Sequence, residues 1–456
     1  MLTLPPTLLK RTTSRCPVCH SDCPAEVLRV GKRVMLRLTC ATHGKAEACI
    51  SSDARFYWHA QGDPKNQCCG GKCGSADGTS TGTLGRNAEG SDTVEKLATF
   101  LALIEIVNSC NLACPTCYAD SPRTREVDAV PLADIQRRIE GVIERKGGIE
   151  ILQLSGGEPT LHPQFFELLE WLHAHPKIDY VLLNTNGVRV ANDDAFSASL
   201  GRTMKRGHFQ LYLQFDGPQE AGQQALRGAD LRETRRRCVE RCRELGVPIT
   251  LAMTVTPDTL PHVWETVQWG LAFENVRGVS FQPVFGSGRN TKEGGRPGPL
   301  NHGVVPQHGA ETAPLLAMNT ADVILGLIEH SGGTLTADSF TPLPCGDPNC
   351  ATIGYLLKIG GTVRSISDFV DFSEVQDFLR DKVRYSLDDL AKCGCENEPL
   401  AELLKRFELD ASHTFRLFVK PFMDSWTWDQ DRIDRCCTHV ITPSGALDSF
   451  CRYYGG

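Results

Sequence analysis

The sequence predicts an α/β fold: a partial (β/α)6 barrel with an N-terminal rubredoxin- or zinc-ribbon-like module and a C-terminal cysteine-rich domain. Three observations carry this. Between about 100 and 285, apolar runs of strand length alternate with amphipathic helical patterns, which implies parallel pairing through right-handed crossovers. The residues able to do chemistry fall just after those runs, where parallel barrels place their active sites. Twenty cysteines are grouped as CxxC, CxxxC and CC rather than scattered, and in a reducing compartment such grouping points to metal rather than disulfides. The implied boundaries are 1–60 for the ribbon, 61–95 for a Cys/Gly segment and linker, 96–330 for the barrel and 331–456 for the C-terminal domain.

In chain order, Cys16 and Cys19 form one knuckle and Cys40 and His43 a second. Between them residues 25–39 alternate apolar and polar around Gly31 and Lys32, a hairpin signal. Two knuckles joined by a hairpin make a tetrahedral site for one iron or zinc, with Cys16, Cys19, Cys40 and His43 as ligands and Cys23 or Cys49 as alternatives to His43. Its expected role is structural. Cys68, Cys69 and Cys73 follow in a glycine-rich stretch, with Cys69 and Cys73 spaced for two corners of a cluster. A polar linker from 74 to about 92 then marks a boundary.

Strands are expected at 101–107, 149–154, 179–184, 209–215, 248–255 and 278–284, and helices at 131–146, 163–174, 190–205, 229–245 and 261–272. The strand ends are informative. Cys110, Cys114 and Cys117 follow the first; Ser155, Gly156, Gly157, Glu158 and Pro159 the second. Asn184 to Gly187 follow the third, Gln214 to Gly217 the fourth, and Gln282 and Pro283 the sixth. Cys238 and Cys242, four apart in a charged helical pattern, read as core residues.

Three thiolates on a loop this short satisfy three corners of a [4Fe–4S] cube and leave one iron open to a further ligand. Gly156 and Gly157 present backbone without side chains at the neighbouring strand end, and the Glu158 carboxylate can accept from an ammonium. With CxxxCxxC and GGEP together, the chain resembles the radical S-adenosylmethionine (SAM) superfamily. The resemblance implies that SAM chelates the open iron and is cleaved by an electron from the cluster to a 5′-deoxyadenosyl radical, which abstracts hydrogen from an unactivated carbon. It implies that Cys110, Cys114 and Cys117 carry the catalytic cluster and that Gly156, Gly157 and Glu158 hold the methionyl amine. Asn186 and Asp216 become candidates for adenosine or substrate contacts. The sequence departs from the pattern at Thr116, where an aromatic residue usually stands; here Tyr118 follows the third cysteine instead.

Residues 286–313 are rich in glycine and proline and read as a lid or a disordered insertion. Beyond them Cys345, Cys350, Cys393, Cys395, Cys436, Cys437 and Cys451, with Cys68, Cys69 and Cys73, make ten thiols, enough for one or two auxiliary [4Fe–4S] clusters. Cys69, Cys73, Cys345, Cys350, Cys395, Cys436, Cys437 and Cys451 are the ligand candidates; Cys436 and Cys437 could also hold a softer metal. The order of ribbon, cysteine loop, GGEP and these C-terminal cysteines resembles the family of the archaeal tetraether lipid synthase, also described as class D radical SAM methylases. The resemblance implies carbon–carbon bond formation at an unactivated carbon, either coupling of lipid chains or methylation of a small molecule such as a pterin. Ser449 and Tyr454 depart from that family's ending, which leaves the substrate open.

A formal charge of −7 offers no basic footprint for nucleic acid, and no apolar run of membrane-spanning length occurs. The expectation is a cytoplasmic enzyme with a small-molecule or lipid substrate and an electron donor such as flavodoxin or ferredoxin, peripheral membrane contact remaining open. A non-catalytic iron–sulfur electron carrier would leave Gly156, Gly157 and Glu158 without a task.

Overall fold

The computed structural model describes residues 5–61, 99–291, 318–343, 346–359, 361–369 and 413–455. Of the predicted ligands, Cys69, Cys73, Cys345 and Cys395 lie outside these residues, as do Cys68, Cys393 and most of the 286–313 stretch.

The ribbon is a four-stranded antiparallel sheet of β1 (Thr7–Arg15), β2 (Asp22–Val30), β3 (Arg33–Cys40) and β4 (Gly44–Ser51) in that order. Val27, Val34, Leu36 and Leu38 alternate to one side and pack around Cys16 and Cys40. The hairpin expected at Gly31 and Lys32 joins β2 and β3.

The barrel unit comprises β5 (Leu101–Val107), α1 (Leu132–Lys146), β6 (Ile149–Gly156), α2 (Phe165–Ala174), β7 (Ile178–Thr185), α3 (Val188–Asn192), α4 (Asp194–Thr203), β8 (Phe209–Gln214), α5 (Glu220–Arg227), α6 (Arg232–Leu245), β9 (Ile249–Val255), α7 (Val263–Leu271) and β10 (Val276–Pro283). Its six strands are parallel neighbours in chain order. Their nearly unbroken apolar runs fit strands covered on both faces. α1 shows why the helices dock: Ile135, Ile139, Val142 and Ile143 fall on one stripe and are all buried, each contributing roughly 1.5–3 kcal/mol. Cys238 and Cys242 sit fully buried on α6 in the same core.

Two expectations differ in detail. The helix expected at 190–205 is two, because Asp193 is extended (φ −112°, ψ 101°) and caps α4 by accepting from the Phe196 N–H at 2.9 Å. α5 was not foreseen, since eight residues are too few to set a period against background.

The remaining elements are α8 (Thr320–His330), β11 (Thr341–Pro342), β12 (Thr352–Ile359), β13 (Thr362–Ser365), β14 (Thr414–Val419), α9 (Gln430–Asp434), β15 (Thr438–Ile441), β16 (Leu447–Ser449) and α10 (Phe450–Gly455). They extend the barrel sheet at both edges: β14 pairs parallel with β10, and β15 pairs parallel with β5. Lys420, directly after β14, donates to Thr438 Oγ1 at the start of β15 (3.3 Å), so the two edges approach each other. Exposed sheet edges are thereby covered, and C-terminal residues come to the barrel interior. The ribbon leans on this region through Lys10 to Asp429 (2.6 Å) and Arg15 over the Trp428 ring (3.9 Å).

Candidate active site

The cysteine loop leaves β5 and is held on three sides by backbone and arginine. Gly157 N–H donates to Val107 O (2.7 Å) and Glu158 N–H to Ser109 O (3.0 Å), so the segment after β6 lies flat against the chain entering the loop. A Cβ on Gly157 would stand 2.1 Å from Ser109 O; one on Gly156, at φ +117°, would stand 2.1 Å from Val107 O. The two glycines therefore have an internal reason to lack side chains besides the ligand approach expected of them. Gly157→Ala is expected to displace the loop: cluster loading should fall severalfold, measured as iron and sulfide per chain, with the ribbon metal retained.

On the second side Arg227, at the end of α5, donates to Thr116 O (3.1 Å), while Thr116 Oγ1 donates to Leu226 O (2.8 Å). On the third, Arg289 donates to Cys114 O (2.6 Å), to Asp120 (3.2 Å) and to Ser121 O. Sequence reasoning found neither arginine. An Arg-Gly pair closing a short helix, or an arginine in a glycine-rich run, has no periodic signature.

The predicted contact residues converge on one cavity of about 260 Å³, lined by Cys110, Cys114, Cys117, Gly156, Gly157, Glu158, Asn186 and Asp216 among others. Each is also engaged within the chain. Glu158 is buried, and its carboxylate accepts from Thr160 N–H (3.2 Å), Thr160 Oγ1 (2.7 Å), Thr185 Oγ1 (2.7 Å) and Asn186 N–H (2.7 Å). Burial nonetheless raises its carboxyl above the ordinary range. Asn186 donates to Asn111 Oδ1 (2.6 Å), tying the third strand end to the cysteine loop. Asp216 takes a two-pronged pair from Arg227 (2.6 and 2.8 Å) and the N–H of Thr254 (3.0 Å). Burial alone would raise the Asp216 carboxyl, but Arg227 outweighs it and holds it below the ordinary range.

The cysteines themselves fit an iron–sulfur cluster. Burial pushes the Cys110 thiol up to about 12 and raises Cys114 as well, so a bound cation must supply the charge that makes them thiolates. Among the described residues, the only group of potential ligands with all donor atoms within 4.8 Å of one another is Cys16, Cys19, Cys40 and His43.

In that quartet Cys16 Sγ lies 3.5 Å from His43 Nδ1, Cys19 Sγ 3.8 Å from Cys40 Sγ, and Cys40 Sγ 3.6 Å from His43 Nδ1. Tetrahedral ligands about 2.3 Å from one metal stand about 3.8 Å apart, so the quartet fits a single ion. Cys23 and Cys49 instead donate to Ser21 O and Ser51 O. Backbone N–H groups of His43 and Thr42 bring the Cys40 thiol down to about 5, ready to bind as thiolate. Cys40→Ala is expected to release the metal, read by metal analysis, and to leave SAM cleavage measurable.

A third group gathers at the sheet's two edges. Lys420 Nζ lies 3.1 Å from Cys350 Sγ, and Cys436 and Cys451 share the same buried surroundings. Burial would raise Cys350, but Lys420 and Arg432 bring it below its ordinary value, whereas burial lifts Cys436 to about 12. Cys437 stands beside them, its sulfur 3.5 Å from where a Gly346 Cβ would lie; contrary to the expectation of a metal ligand it is disulfide-bonded, which takes up its thiolate, while the other three are free thiols. Tyr118, expected near the cluster, packs edge-on against Tyr454 (4.8 Å between ring centroids) and against Phe450 (5.7 Å), so the C-terminal helix backs the cysteine loop.

A cysteine loop at the end of β5, clasped by a Gly-Gly-Glu turn at the end of β6, defines the class, and comparison agrees. Residues 104–270 match the model of the Radical SAM superfamily, and residues 8–52 that of the HMPTM N-terminal zinc ribbon domain. This chain is a radical SAM enzyme, with a [4Fe–4S] cluster and SAM as its cofactors and further metal sites. It is similar, at 25% identity over 97% of its length and 93% of the relative's, to 7,8-dihydro-6-hydroxymethylpterin dimethyltransferase of Methanocaldococcus jannaschii. GTP 3′,8-cyclase of Synechococcus elongatus is 29% identical over 35% of this chain and 47% of its own. Among solved structures, anSMEcpe with bound AdoMet and Kp18Cys peptide covers 66% of this chain and 87% of its own at 18% identity (TM-score 0.35). Streptococcus suis SuiB bound to S-adenosylmethionine covers 41% of this chain and 40% of its own at 19% identity (TM-score 0.33). No helix among the described residues is long and apolar enough to cross a membrane.

Proposed function

We propose that this chain is a radical SAM methyltransferase acting on a pterin or a closely related ring. The observation that carries this reading is the end-to-end likeness to the pterin dimethyltransferase, which takes in ribbon, barrel and C-terminal region, where the cyclases match only part of the chain. The bound cluster and SAM supply a 5′-deoxyadenosyl radical. Around them Cys110, Cys114 and Cys117 would hold the cluster, and Gly156, Gly157 and Glu158 would face the methionyl group. Asn186 and Asp216 would fix the walls, and Arg227 and Arg289 would keep the cysteine loop in place. Cys350, Cys436 and Cys451, free thiols, would hold an auxiliary cluster with partners outside the described residues. Its reductant would be a flavodoxin or ferredoxin in the cytoplasm.

The test is anaerobic reconstitution with a reductant, SAM and 7,8-dihydro-6-hydroxymethylpterin, followed by mass spectrometry. A pterin heavier by a methylene unit for each transfer supports the reading. Release of 5′-deoxyadenosine with the pterin unchanged refutes it. Deuterium in the methyl group of SAM reports whether that methyl is the one transferred.

A further inference from the structure

The interior of a parallel barrel is ordinarily filled by branched apolar side chains. Here the strands carry hydrogen-bonding groups into the cavity: Gln153 on β6, Asn184 on β7, Tyr212 on β8 and Gln282 on β10 all line it. They are linked in two short chains. Gln153 Nε2 donates to Asn184 Oδ1 (2.5 Å) and Asn184 Nδ2 to Ser155 Oγ (3.1 Å). Gln282 Nε2 donates to the Tyr212 hydroxyl (2.8 Å). Each glutamine thus spends one N–H on a neighbour, which sets the plane of its amide. Among the described residues, no donor reaches the Oε1 of Gln153 or of Gln282.

Buried amides are retained where their remaining groups find partners, so two oriented carboxamides with an unused acceptor call for a ligand that donates in the same plane. The same cavity is lined by Phe422 and Phe450, whose rings stack at 4.1 Å, an apolar face suited to a flat ring. Its two cations are already committed: Arg227 to Asp216 and Lys420 to Cys350. A polyphosphate would find no free counter-charge on this wall, and an alkyl chain would leave the amides unpaired.

We infer that Gln153, Asn184, Tyr212 and Gln282 are specificity-determining residues that read the lactam–amidine edge of an uncharged planar heterocycle. The inference rests on the pterin reading for its best ligand and goes beyond it by assigning the residues that recognise the ring. Tyr212 and Gln282 act as one unit, and Gln153 and Asn184 as the other, with Asn184 and Tyr212 side by side as register partners on β7 and β8.

The experiment is equilibrium binding to the anaerobically reconstituted full chain, in wild type, Gln153→Leu, Gln282→Leu and the double variant. The probes are 7,8-dihydro-6-hydroxymethylpterin, guanine, lumazine and GTP. Wild type should bind the pterin, and each single variant should weaken that binding roughly tenfold to a hundredfold. Iron content, thermal melting and the spectroscopic response of the cluster to SAM should stay as in wild type, which separates a lost contact from a misfolded chain. Pterin affinity in both single variants within twofold of wild type overturns the inference and leaves the pterin reading standing. Binding of guanine but not the pterin, lost in the variants, upholds the edge reading and refutes the pterin one, whereas lumazine, a dione without the amidine, bound as tightly as the pterin overturns the edge reading. Wild type that binds none of the heterocycles, or that binds GTP more tightly than all of them, overturns both.

Discussion

Serine in place of Cys114 is expected to lower reductive release of 5′-deoxyadenosine by roughly a hundredfold or more, beyond what loss of an outer-shell partner costs a metal site. Cys114 is 9% exposed, between Cys110 and Cys117 on a loop anchored by Arg227 and Arg289. An alcohol at this buried position holds its proton far more tightly than a thiol and is a poor ligand for iron in a sulfide cube. Iron should fall by about four per chain, the content of one cube, while the ribbon's ion stays. Chromatography of the SAM products and iron analysis give both readouts. The contrasting variant is Cys242→Ser: its thiol is fully buried on α6 within the core, so stability should drop while cleavage persists. Near-wild-type cleavage in Cys114→Ser would remove the three-cysteine loop from the chemistry.

The second large effect is expected at Asp216. Both members of the Asp216–Arg227 pair are buried, with side chains 0% and 5% exposed. Asp216→Ala leaves the guanidinium without its counter-charge, at a cost of about 3–5 kcal/mol in unfolding free energy. Because Arg227 also donates to Thr116 O, cluster loading should fall with stability. The double variant Asp216→Ala with Arg227→Met removes both charges and should recover much of the stability but little of the loading, since the clasp on the cysteine loop is gone. Denaturant unfolding and iron content separate the two. The pair also sets an acid limit. A carboxyl held below its unfolded value of about 4 contributes stability that is present above that pH and lost as pH falls through the folded value. Unfolding followed from pH 6 downward should show wild type losing stability that the double variant never had.

Much of the site could be read from the residue order because its chemistry lies in short segments. Cys110, Cys114 and Cys117 are eight residues from end to end, and Gly156, Gly157 and Glu158 are adjacent. The strands were legible for a related reason: a strand covered on both faces is apolar over most of its length, as in β5, where Glu105 alone interrupts the run. The ribbon quartet was readable because two knuckles around a hairpin leave few ways to bring four ligands together, and Cys16, Cys19, Cys40 and His43 meet as expected.

What escaped reading depends on contacts between distant segments. Arg227 and Arg289 act on the cysteine loop from more than a hundred residues away, and an arginine's partner is not encoded in its neighbours. The pairing of β14 with β10 and of β15 with β5 brings Lys420, Cys350, Cys436 and Cys451 to the approaching edges of one sheet. Local propensity says nothing about which edge a late strand will join. Residue order alone thus brought out the two segments proposed to carry the chemistry, the three-cysteine loop and the glycine turn, because each is a run of near neighbours along the chain. Tertiary structure decided what surrounds that chemistry. The buried Asp216–Arg227 pair and the amides of the cavity wall are assembled from different strands, and only the closure of the sheet brings them within hydrogen-bonding distance.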